Sequence, residues 1–548
     1  MPHADTIIIA SAIHTLADGQ AGTALALADG HILAIGEPEE LASLHGPATE
    51  VIDFPGATIT PGLCDGHTHV VLGLDLTRGL NLTDVGPLEE VQRRLTEAGE
   101  KAGDGEWILG WGLDPNVFTS TGFRGTLFDH ATAGRPVLLR MRDGHSAVAN
   151  SAALRAASIT GRETFPDEAR IDLDADGRPT GYLVEFAAIE RVTSAIPDET
   201  FPARAARLLT VLCGMARTGT TSTHVMDFTE GTAELMHHLE TIGDLPLRLR
   251  FSPMVLPGMT HEEIQQIIRA QGTGGRRWEA RGVKFFIDGT VDNGSAWLEE
   301  PDSHGQGTRS VWTDTDQYRQ TLAQFVRRGI PTATHAIGDH GVRFTLDALE
   351  AAGVRTATAT HRIEHIETIP DELVPRFADL GVAASMQPIH GTHHTCADGS
   401  DNWSQRLGPT RASRGWRCRD LREAGATLAL GSDWPITHYD PRAVMADAVL
   451  RRPAERPSVT PIQPEQALTT RMALEGYTSH AAAADGLANR EGSLAPGMRA
   501  DLTIFAGDPL DCPAEDLATL PVVGTFVDGV KVDASPSTAP ATTAHARI

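Results

Sequence analysis

Eight short apolar segments, spread over residues 58–434, constrain the fold of this chain more than any other feature. Many of them are separated by stretches with helical periodicity, such as TDQYRQTLAQFVRRG, which places Leu322, Phe325 and Val326 on one face of a helix. Short strands that alternate with helices form a parallel sheet, and eight such units predict an α/β fold, a TIM-like (β/α)8 barrel. The segments are TITPGLCDGH, TGTTSTHV, PLRLRFSP, GVKFFIDG, IPTATHAIG, THRIEHI, GVAASMQP and ATLALGSDW.

The interval between the first and second segments is too long for a single helix. Residues from about 80 to 215 are therefore predicted to form a large insertion after strand 1. This stretch contains the strand-like RPVLLRMRD and helical patterns near 86–101 and 202–217. Long insertions in barrels lie on the loops above the active site, so we expect the insertion to contribute there.

The two ends of the chain carry similar patterns. TALALADGHILAIG near the start and VVGTFVDGVKVD near the end place Asp-Gly between alternating apolar residues, which is the strongest short sign of a β-hairpin. We expect residues 1–57 and 486–535 to form one small β-sandwich domain, with the barrel and its insertion at 58–485. Residues 536–548 are rich in Pro, Ser, Thr and Ala and are predicted to form a disordered tail.

Charge and cysteine content exclude several classes of partner. The 46 basic and 72 acidic residues give a net charge of −26, which argues against nucleic acid or an anionic membrane as a general partner. No stretch approaches eighteen uncharged apolar residues, and the N-terminus lacks the basic segment of a signal peptide. The five cysteines are scattered without a CxxC pair, which excludes a disulfide framework and favours a cytoplasmic location.

Histidine and aspartate residues stand at the ends of four predicted strands. His67 and His69 end the first strand, and because residues i and i+2 of a strand share one face, both imidazoles can bind one ion. His335, His365 and Asp433 end the fifth, sixth and eighth strands. The carboxyl ends of barrel strands carry functional groups, and imidazoles with a carboxylate suit zinc or another first-row divalent metal. Each residue alone would be explained as a hydrogen-bonded core residue, but five at matching strand ends are hard to reach by chance.

Lys284 is unusual because the chain has only two other lysines, Lys101 and Lys531, among its 46 basic residues. It lies in the apolar segment GVKFFIDG, where a protonated amine is costly unless it is paired or neutralised. The common alternative is a buried stem whose charged head reaches solvent. A neutral amine can instead react with CO₂ to give a carbamate that bridges two metal ions, which arginine cannot imitate.

The segments PGLCDGHTH, VKFFIDG, THAIGD, RIEH and GSDWP together resemble the metal-dependent amidohydrolase superfamily. Within it, the chain resembles the branch that includes N-substituted formamide deformylase. The resemblance covers nearly the whole chain, since SLAPGMRADLTIFAGDPL is similar to the GxxADLVVL signature of the family. It implies a homodimer and two Zn²⁺ ions per chain bridged by a carboxylated lysine, with other first-row divalent metals possible. The ligands that it implies are His67, His69, Lys284, His335, His365 and Asp433.

The resemblance also implies a reaction, the hydrolysis of a C–N bond other than a peptide bond. The substrate is a small-molecule amide, such as an N-substituted formamide. A metal-bridging hydroxide attacks the carbonyl, and Asp433 takes the proton and delivers it to the leaving amine. Deamination or decarboxylation at the same metal site is the alternative among enzymes. A non-catalytic scaffold is the alternative outside them, and the six filled ligand positions argue against it.

Five further residues are candidate substrate contacts. His145 and Asn150 match the DGHxxxxNS motif that the family carries, although a role in a turn and helix cap explains them equally well. Trp111, His224 and Gln387 could line the pocket, but packing in the core is an equally good or better explanation. A group of histidines after the seventh strand could gate the site, but a solvated polar loop is the default expectation. These are His390, His393 and His394.

Overall fold

The computed structural model describes residues 3–19, 21–83, 85–103, 105–118, 121–142, 144–165 and 169–533. The tail predicted at 536–548 lies outside the described residues. The chain divides into two compact units. The first unit comprises Met1–His69, Ala205–Asp433 and Tyr439–Ile548, and the second comprises Val70–Arg204 and Trp434–His438.

The described strands are numbered β1 to β23 in chain order. They are Thr6–Ile13, Ala24–Ala28, His31–Gly36, Glu50–Pro61, Leu63–Thr68, Leu80–Asn81, Ile108–Leu113, Val137–Met141, Ser146–Ala149, Arg170–Leu173, Pro179–Val184, Thr220–Val225, Arg248–Phe251, Met254–Val255, Trp278–Ala280, Val283–Phe286, Thr332–Ala336, His361–His365, Val382–Met386, Leu428–Leu430, Leu502–Phe505, Val522–Val527 and Val530–Lys531.

The described α-helices are numbered α1 to α19 in the same way. They are Pro38–Leu41, Leu72–Leu76, Leu88–Lys101, Ser151–Ala156, Phe186–Thr193, Phe201–Arg217, Thr232–Ile242, His261–Ala270, Thr315–Arg327, Asp339–Ala351, Val374–Leu380, Pro388–His394, Asn402–Leu407, Pro409–Ala412, Cys418–Glu423, Pro441–Leu450, Thr470–Gly476, Ser479–Ala484 and Ala514–Leu517. Among the described helices, none is both long enough and apolar enough to cross a bilayer.

Strands from both chain ends share one sheet of the first unit, in the order β23-β22-β21-β4-β1-β2-β3. Its two hairpins turn at Asp29-Gly30 and Asp528-Gly529, and all four of these residues have positive φ. Positive φ at both central residues gives a two-residue turn the twist of the flanking strands, which explains the Asp-Gly sequences. The seven strands of this terminal domain form one hydrogen-bonded sheet, and their arrangement as a sandwich stays a prediction.

Parallel strands make up the remainder of the strand content of the first unit. They form two sheets, β15-β13-β12-β5 and β14-β16-β17-β18-β19-β20, in which all neighbours are parallel. Every residue of β17, β18 and β19 is buried, as expected for parallel strands covered on both faces. The backbone N–H of Asp433, after β20, donates to the carbonyl of His67 on β5 at 2.8 Å, so the outer strands of the two sheets meet.

The first predicted barrel strand, TITPGLCDGH, divides between two sheets. Its first half belongs to β4, which pairs with β21 of the terminal sheet through Leu502 and Pro61. Its second half is β5, which pairs with β12. The break falls at Gly62, where a Cβ atom would lie 2.2 Å from the Thr221 hydroxyl, so the chain passes from one sheet to the other at a glycine.

The second unit has its own sheet and core. Its six strands follow the order β10-β11-β9-β8-β7-β6, and its core contains Leu82, Leu95, Phe128 and Val148. The bounds of this unit, which begins at Val70 and has its main segment end at Arg204, differ from those of the predicted insertion at about 80–215. The helix predicted at 202–217 is α6, and most of it belongs to the first unit, because the Thr525 hydroxyl of the terminal sheet donates to the carbonyl of Ala216 at 2.8 Å.

Candidate metal centre

Five of the six predicted metal ligands stand at or just beyond the carboxyl ends of parallel strands, and Lys284 is the second of the four residues of β16. His67 lies on β5 with His69 just beyond it, and Asp433 follows β20. The other three occupy β16, β17 and β18, whose register pairs Phe286 with His335 and Ala336 with His365. Because parallel strands end at a common edge, residues that are up to several hundred positions apart in the chain come together.

One carboxylate faces three of these imidazoles. Asp433 Oδ1 lies 3.5 Å from Nε2 of both His67 and His69, and Asp433 Oδ2 lies 3.8 Å from Nδ1 of His365. Lys284 Nζ lies 3.3 Å from His67 Nε2. All of these side chains except His69, which is partly exposed, are buried. The structure therefore brings together five of the six predicted ligands in one compact group.

His335 lies beside this group rather than against Asp433. Its ring centroid is 4.4 Å from that of His365 and 5.2 Å from that of Phe286. Its Nε2–H donates a hydrogen bond to the carbonyl oxygen of Gly289 at 3.1 Å. That hydrogen bond leaves Nδ1 as the nitrogen with a lone pair, so a ligand role for His335 would use Nδ1.

Carboxylates orient two of the imidazoles. His67 Nδ1–H donates to Glu364 Oε2 at 2.6 Å, and His69 Nδ1–H donates to Asp227 Oδ2 at 3.2 Å. Each bond fixes the tautomer that leaves Nε2 as the lone-pair nitrogen, which in both residues faces Asp433. Metal-binding histidines are held in this way by acceptors that do not touch the ion.

Gln387 plays the same part for the third imidazole. Its Oε1 accepts from His365 Nδ1–H at 2.9 Å, and the side chain is buried. The amide oxygen of Gln387 therefore orients His365, and a substrate contact by Gln387 stays a prediction. Gln387 Nε2 has no hydrogen-bond partner among the described residues.

Burial favours the neutral form of two imidazoles of this group, because it lowers the pKa of His67 and of His365. Removal from solvent, followed by the charge of Lys284, holds the pKa of His67 well below its ordinary value. Burial and then the neighbouring His335 have the same effect on the pKa of His365. Burial also lowers the pKa of Lys284 to about 8. Neutral imidazoles have the lone pair that a metal ion requires, so the environment favours the form that binds metal.

Two candidate ligands sit on a strained backbone. His365 has φ 76° and Asp433 has φ 55°, values in the left-handed region that residues other than glycine rarely adopt. Such strain persists only where the surrounding structure enforces it, and it is concentrated at functional sites. The strain supports a functional role for the ends of β18 and β20.

The donor set fits a divalent metal ion. Asp433 Oδ1 is buried and has no hydrogen-bond partner among the residues that the structure describes. A buried carboxylate oxygen without a partner is costly, and a cation held between it and the adjacent Nε2 atoms would satisfy it. Imidazole nitrogens with carboxylate oxygens are ligands that zinc and related first-row metals accept.

His390 lies at this group, a position that the sequence offered only as the alternative to a solvated loop. The segment expected to be a solvated loop is helix α12, and His390 is 6% exposed. Its Nε2 is 3.8 Å from Asp433 Oδ2 and has no hydrogen-bond partner in the described part of the chain. The spacing of the three histidines at i, i+3 and i+4, directly after Pro388, is a helical signal that could have revealed this.

His224 is a buried core histidine, the explanation that the sequence favoured over a pocket wall. Its Nδ1 is hydrogen-bonded to Nη1 of Arg362, and its Nε2 is 3.6 Å from Asp485 Oδ2. Burial and then the charge of Arg362 keep the pKa of His224 well below its ordinary value. None of the contacts found for His224 involves a predicted metal ligand.

Three predicted substrate contacts lie in the second unit. Asn150 caps α4: its Oδ1 accepts from the backbone N–H of Ala153 at 2.9 Å and of Val137 at 3.0 Å, and its Nδ2 donates to the Arg135 carbonyl. These bonds use the whole amide, so the structure supports the cap rather than substrate binding. His145 Nδ1–H donates to Glu185 Oε2 at 2.9 Å, and Trp111 is half-buried on β7. Both stay predicted substrate contacts.

A family model described as "Amidohydrolase family" matches residues 50–533. This chain belongs to the amidohydrolase family. Among its relatives, the "N-substituted formamide deformylase" of Arthrobacter pascens is 27% identical over 96% of this amidohydrolase and 98% of the relative. The "Putative amidohydrolase YtcJ" of Bacillus subtilis is also 27% identical, over 94% and 96% of the two chains.

A solved structure gives the same family fold. A protein described as an uncharacterized metal-dependent hydrolase, from Pyrococcus horikoshii, superposes with a TM-score of 0.71 at 24% identity, over 93% of this amidohydrolase and 99% of that chain. The resemblance stated from the sequence motifs is thereby confirmed, as is an α/β, TIM-barrel-like fold. Closure of the barrel and the details of the insertion and terminal domain stay predictions.

Proposed function

We propose that this amidohydrolase hydrolyses the C–N bond of a small-molecule amide at a centre of two divalent metal ions, with zinc as the first candidate. The observation that carries the proposal is the buried group in which Asp433 faces the Nε2 atoms of His67 and His69 while its Oδ1 has no hydrogen-bond partner among the described residues. The formamide deformylase relative supports an N-substituted formamide as the first substrate to test.

The residues that would hold the metal ions are the predicted ligands. His67, His69 and Asp433 would hold one ion, and His365 with His335 would hold the other. When bound, such ions lower the pKa of water to near 7 and polarise a carbonyl group. Glu364, Asp227 and Gln387 would keep the imidazoles in position because they accept the hydrogen bonds of the Nδ1–H groups.

Lys284 would supply the bridge between the two ions. Its amine is buried, and its pKa of about 8 makes the neutral form accessible. The neutral nitrogen would attack the carbon of CO₂, so that an N–C bond forms while one C–O π bond breaks, and the nitrogen would then release its proton to water to leave a carbamate. The position of Nζ, 3.3 Å from His67 Nε2, would place the new carboxylate among the imidazoles.

Asp433 would move the proton during hydrolysis. Its Oδ1 faces the first two imidazoles, whereas its Oδ2 faces His365 and His390. Oδ2 would hold the proton that the attacking water gives up and then deliver it to the leaving nitrogen, so that the amine departs neutral. The Nε2 of His390, 3.8 Å from Oδ2, would form a hydrogen bond with the substrate beside it. Homodimer formation and a cytoplasmic location stay predictions.

The test combines metal analysis with an amide panel. The purified protein is stripped with a chelator, reloaded with zinc, and assayed with N-substituted formamides, other acylated amines and cyclic amides. We expect about two ions per chain and release of formate with the matching amine. Hydrolysis that persists without metal contradicts the proposal, and so does a chain that retains no ion. Ammonia or CO₂ as the product would favour the deaminase or decarboxylase alternative.

Lys284→Ala tests the bridge within the same experiment. We expect kcat/KM to fall by at least about 10³-fold, because the two ions lose their shared ligand. Short-chain carboxylic acids are expected to restore part of the activity by occupying the vacated space. Lys284→Arg is the matched control, since it keeps the charge but cannot form a carbamate. Activity near the wild-type level in either variant would contradict the carbamate.

A further inference from the structure

Arg362 lies beneath the metal centre and touches none of the predicted ligand side chains. It is 4% exposed on β18, two residues before Glu364, so the two side chains share one face of the strand. Arg362 Nε donates to Glu364 Oε1 at 2.5 Å, and Arg362 Nη2 donates to Glu364 Oε2 at 3.0 Å. This forked, charge-assisted pair is the strongest arrangement available to a guanidinium and a carboxylate.

Glu364 passes this interaction on to a predicted ligand. Its Oε2 accepts from Arg362 and also from Nδ1–H of His67, at 2.6 Å. Arg362 is therefore connected to the His67 imidazole through a single intervening residue, Glu364.

Nη2, which is also shared with Glu364, and the third nitrogen, Nη1, connect Arg362 to three further strands. Nη2 donates to the Ser385 hydroxyl on β19 at 2.8 Å and to the carbonyl of Gly66 on β5. Nη1 donates to Nδ1 of His224 on β12. Gly66 immediately precedes His67, so Arg362 fixes both the backbone and, through Glu364, the side chain of that residue. A lysine could not replace Arg362 here, because its ammonium group lacks the planar, forked arrangement of donors that these hydrogen bonds require.

We propose that Arg362 is a positioning residue that sets the affinity of the centre for its metal ion without contacting the ion. An anionic Glu364 held in the plane of the His67 imidazole makes Nε2 of His67 a better donor and prevents rotation of the ring. The inference rests on the proposed function only in requiring that a metal ion is bound. It needs no particular substrate.

The principal test is the zinc affinity of Arg362→Lys. The zinc dissociation constant of the full-length protein is measured by competition with a chromophoric chelator, with thermal unfolding of the zinc-free protein followed in parallel. We expect zinc binding to weaken by about 10–100-fold, the usual consequence of losing an outer partner of a metal ligand. Arg362→Met, which removes charge as well as fork, is expected to weaken it at least as much.

Arg250→Lys is the matched control. Arg250 is another buried arginine of the same unit, but it pairs with Asp485 at 3.2 Å and with Glu491 rather than with Glu364. Its loss is expected to lower stability while leaving zinc affinity within about threefold of the wild type, because its ion pairs reach neither Glu364 nor a predicted metal ligand. An equal loss of zinc affinity in Arg250→Lys would overturn the proposal, since the effect would then be general destabilisation.

Glu364→Gln keeps the proposal testable if the Arg362 variants do not fold. The amide keeps the shape of the side chain and an acceptor for His67 but loses the charge, and we expect about 10–100-fold weaker zinc binding. Affinity within about threefold of the wild type, in this variant or in folded Arg362→Lys, overturns the inference. A wild-type protein that binds no zinc overturns the proposed function as well, so the two failures are distinguishable.

Discussion

Two clusters of the first unit bring histidine and carboxylate side chains close enough to hold a metal ion. One contains His67, His365 and Asp433, and the other contains His393, Asp447 and Glu455. Proximity does not separate them, but hydrogen bonding does. Asp433 Oδ1 has no hydrogen-bond partner among the described residues, whereas both oxygens of Asp447 accept hydrogen bonds.

The second cluster is a closed structural network. Asp447 Oδ1 accepts from the backbone N–H of Ala454 at 2.9 Å, and Oδ2 accepts from the Thr392 hydroxyl at 3.0 Å and from His393 Nε2 at 2.9 Å. Arg456 Nη2 lies 3.5 Å from the other nitrogen of His393, so a positive charge is already present. The comparison teaches that an acceptor left unsatisfied in a buried group, rather than a count of nearby donors, marks a site prepared for an ion.

The largest expected effect comes from Asp433→Asn in the first cluster. The amide keeps the volume of the side chain but loses the negative charge and the ability to hold the transferred proton. We expect kcat/KM to fall by at least about 10³-fold and the zinc content after dialysis to fall with it. Steady-state kinetics and elemental analysis check this. If Asp433→Asn retained full zinc content and activity, the claim that the first cluster binds metal and the second does not would be contradicted.

His390→Asn is expected to have an intermediate effect on kcat, and it tests whether His390 is a metal ligand or a substrate contact. Because Nε2 of His390 lies 3.8 Å from Asp433 Oδ2, we expect kcat to fall by about 10–100-fold while the zinc content stays at the wild-type level. His365→Asn is the control that should lose zinc. If His390→Asn loses zinc to the same extent, His390 belongs with the ligands and not with the groups that contact substrate.

The smallest expected effect on function is that of Asp447→Asn in the second cluster. We expect zinc content and kcat/KM to stay within about twofold of the wild type, because the hydrogen bonds of Asp447 reach none of the predicted metal ligands. The free energy of unfolding should fall by about 1–3 kcal/mol as buried hydrogen bonds are lost. Chemical denaturation measures the second quantity. Loss of bound zinc in this variant would show that the second cluster also holds an ion.

The sequence predicts the strand ends of the centre well because each is an apolar run that stops at a polar residue. All eight predicted segments contain a strand, and His67, Lys284, His335 and His365 lie on those strands while Asp433 follows one. The division of TITPGLCDGH was not predicted, although Pro61-Gly62 in the middle of the segment is a turn signal and the change of sheet falls there. Close approach of Gly62 to Thr221 decides that break, and only the folded chain brings the two together.

The partners that orient the imidazoles could not be predicted from the sequence. Glu364 is 297 positions from His67, and Asp227 is 158 positions from His69, so no local pattern connects them. Gln387 was predicted as a possible pocket wall, and its amide oxygen holds His365. Such contacts depend on strand register and on side-chain direction, which spacing along the chain does not specify.

Crystals of the zinc-loaded protein, with anomalous diffraction recorded on both sides of the zinc absorption edge, give the most direct measurement of the central claim. The account predicts two anomalous peaks among His67, His69, His335, His365 and Asp433, with electron density that continues beyond Lys284 Nζ into a carboxylate between the peaks. A map with no peak at Asp433, or with a bare lysine amine turned away from the imidazoles, would contradict it.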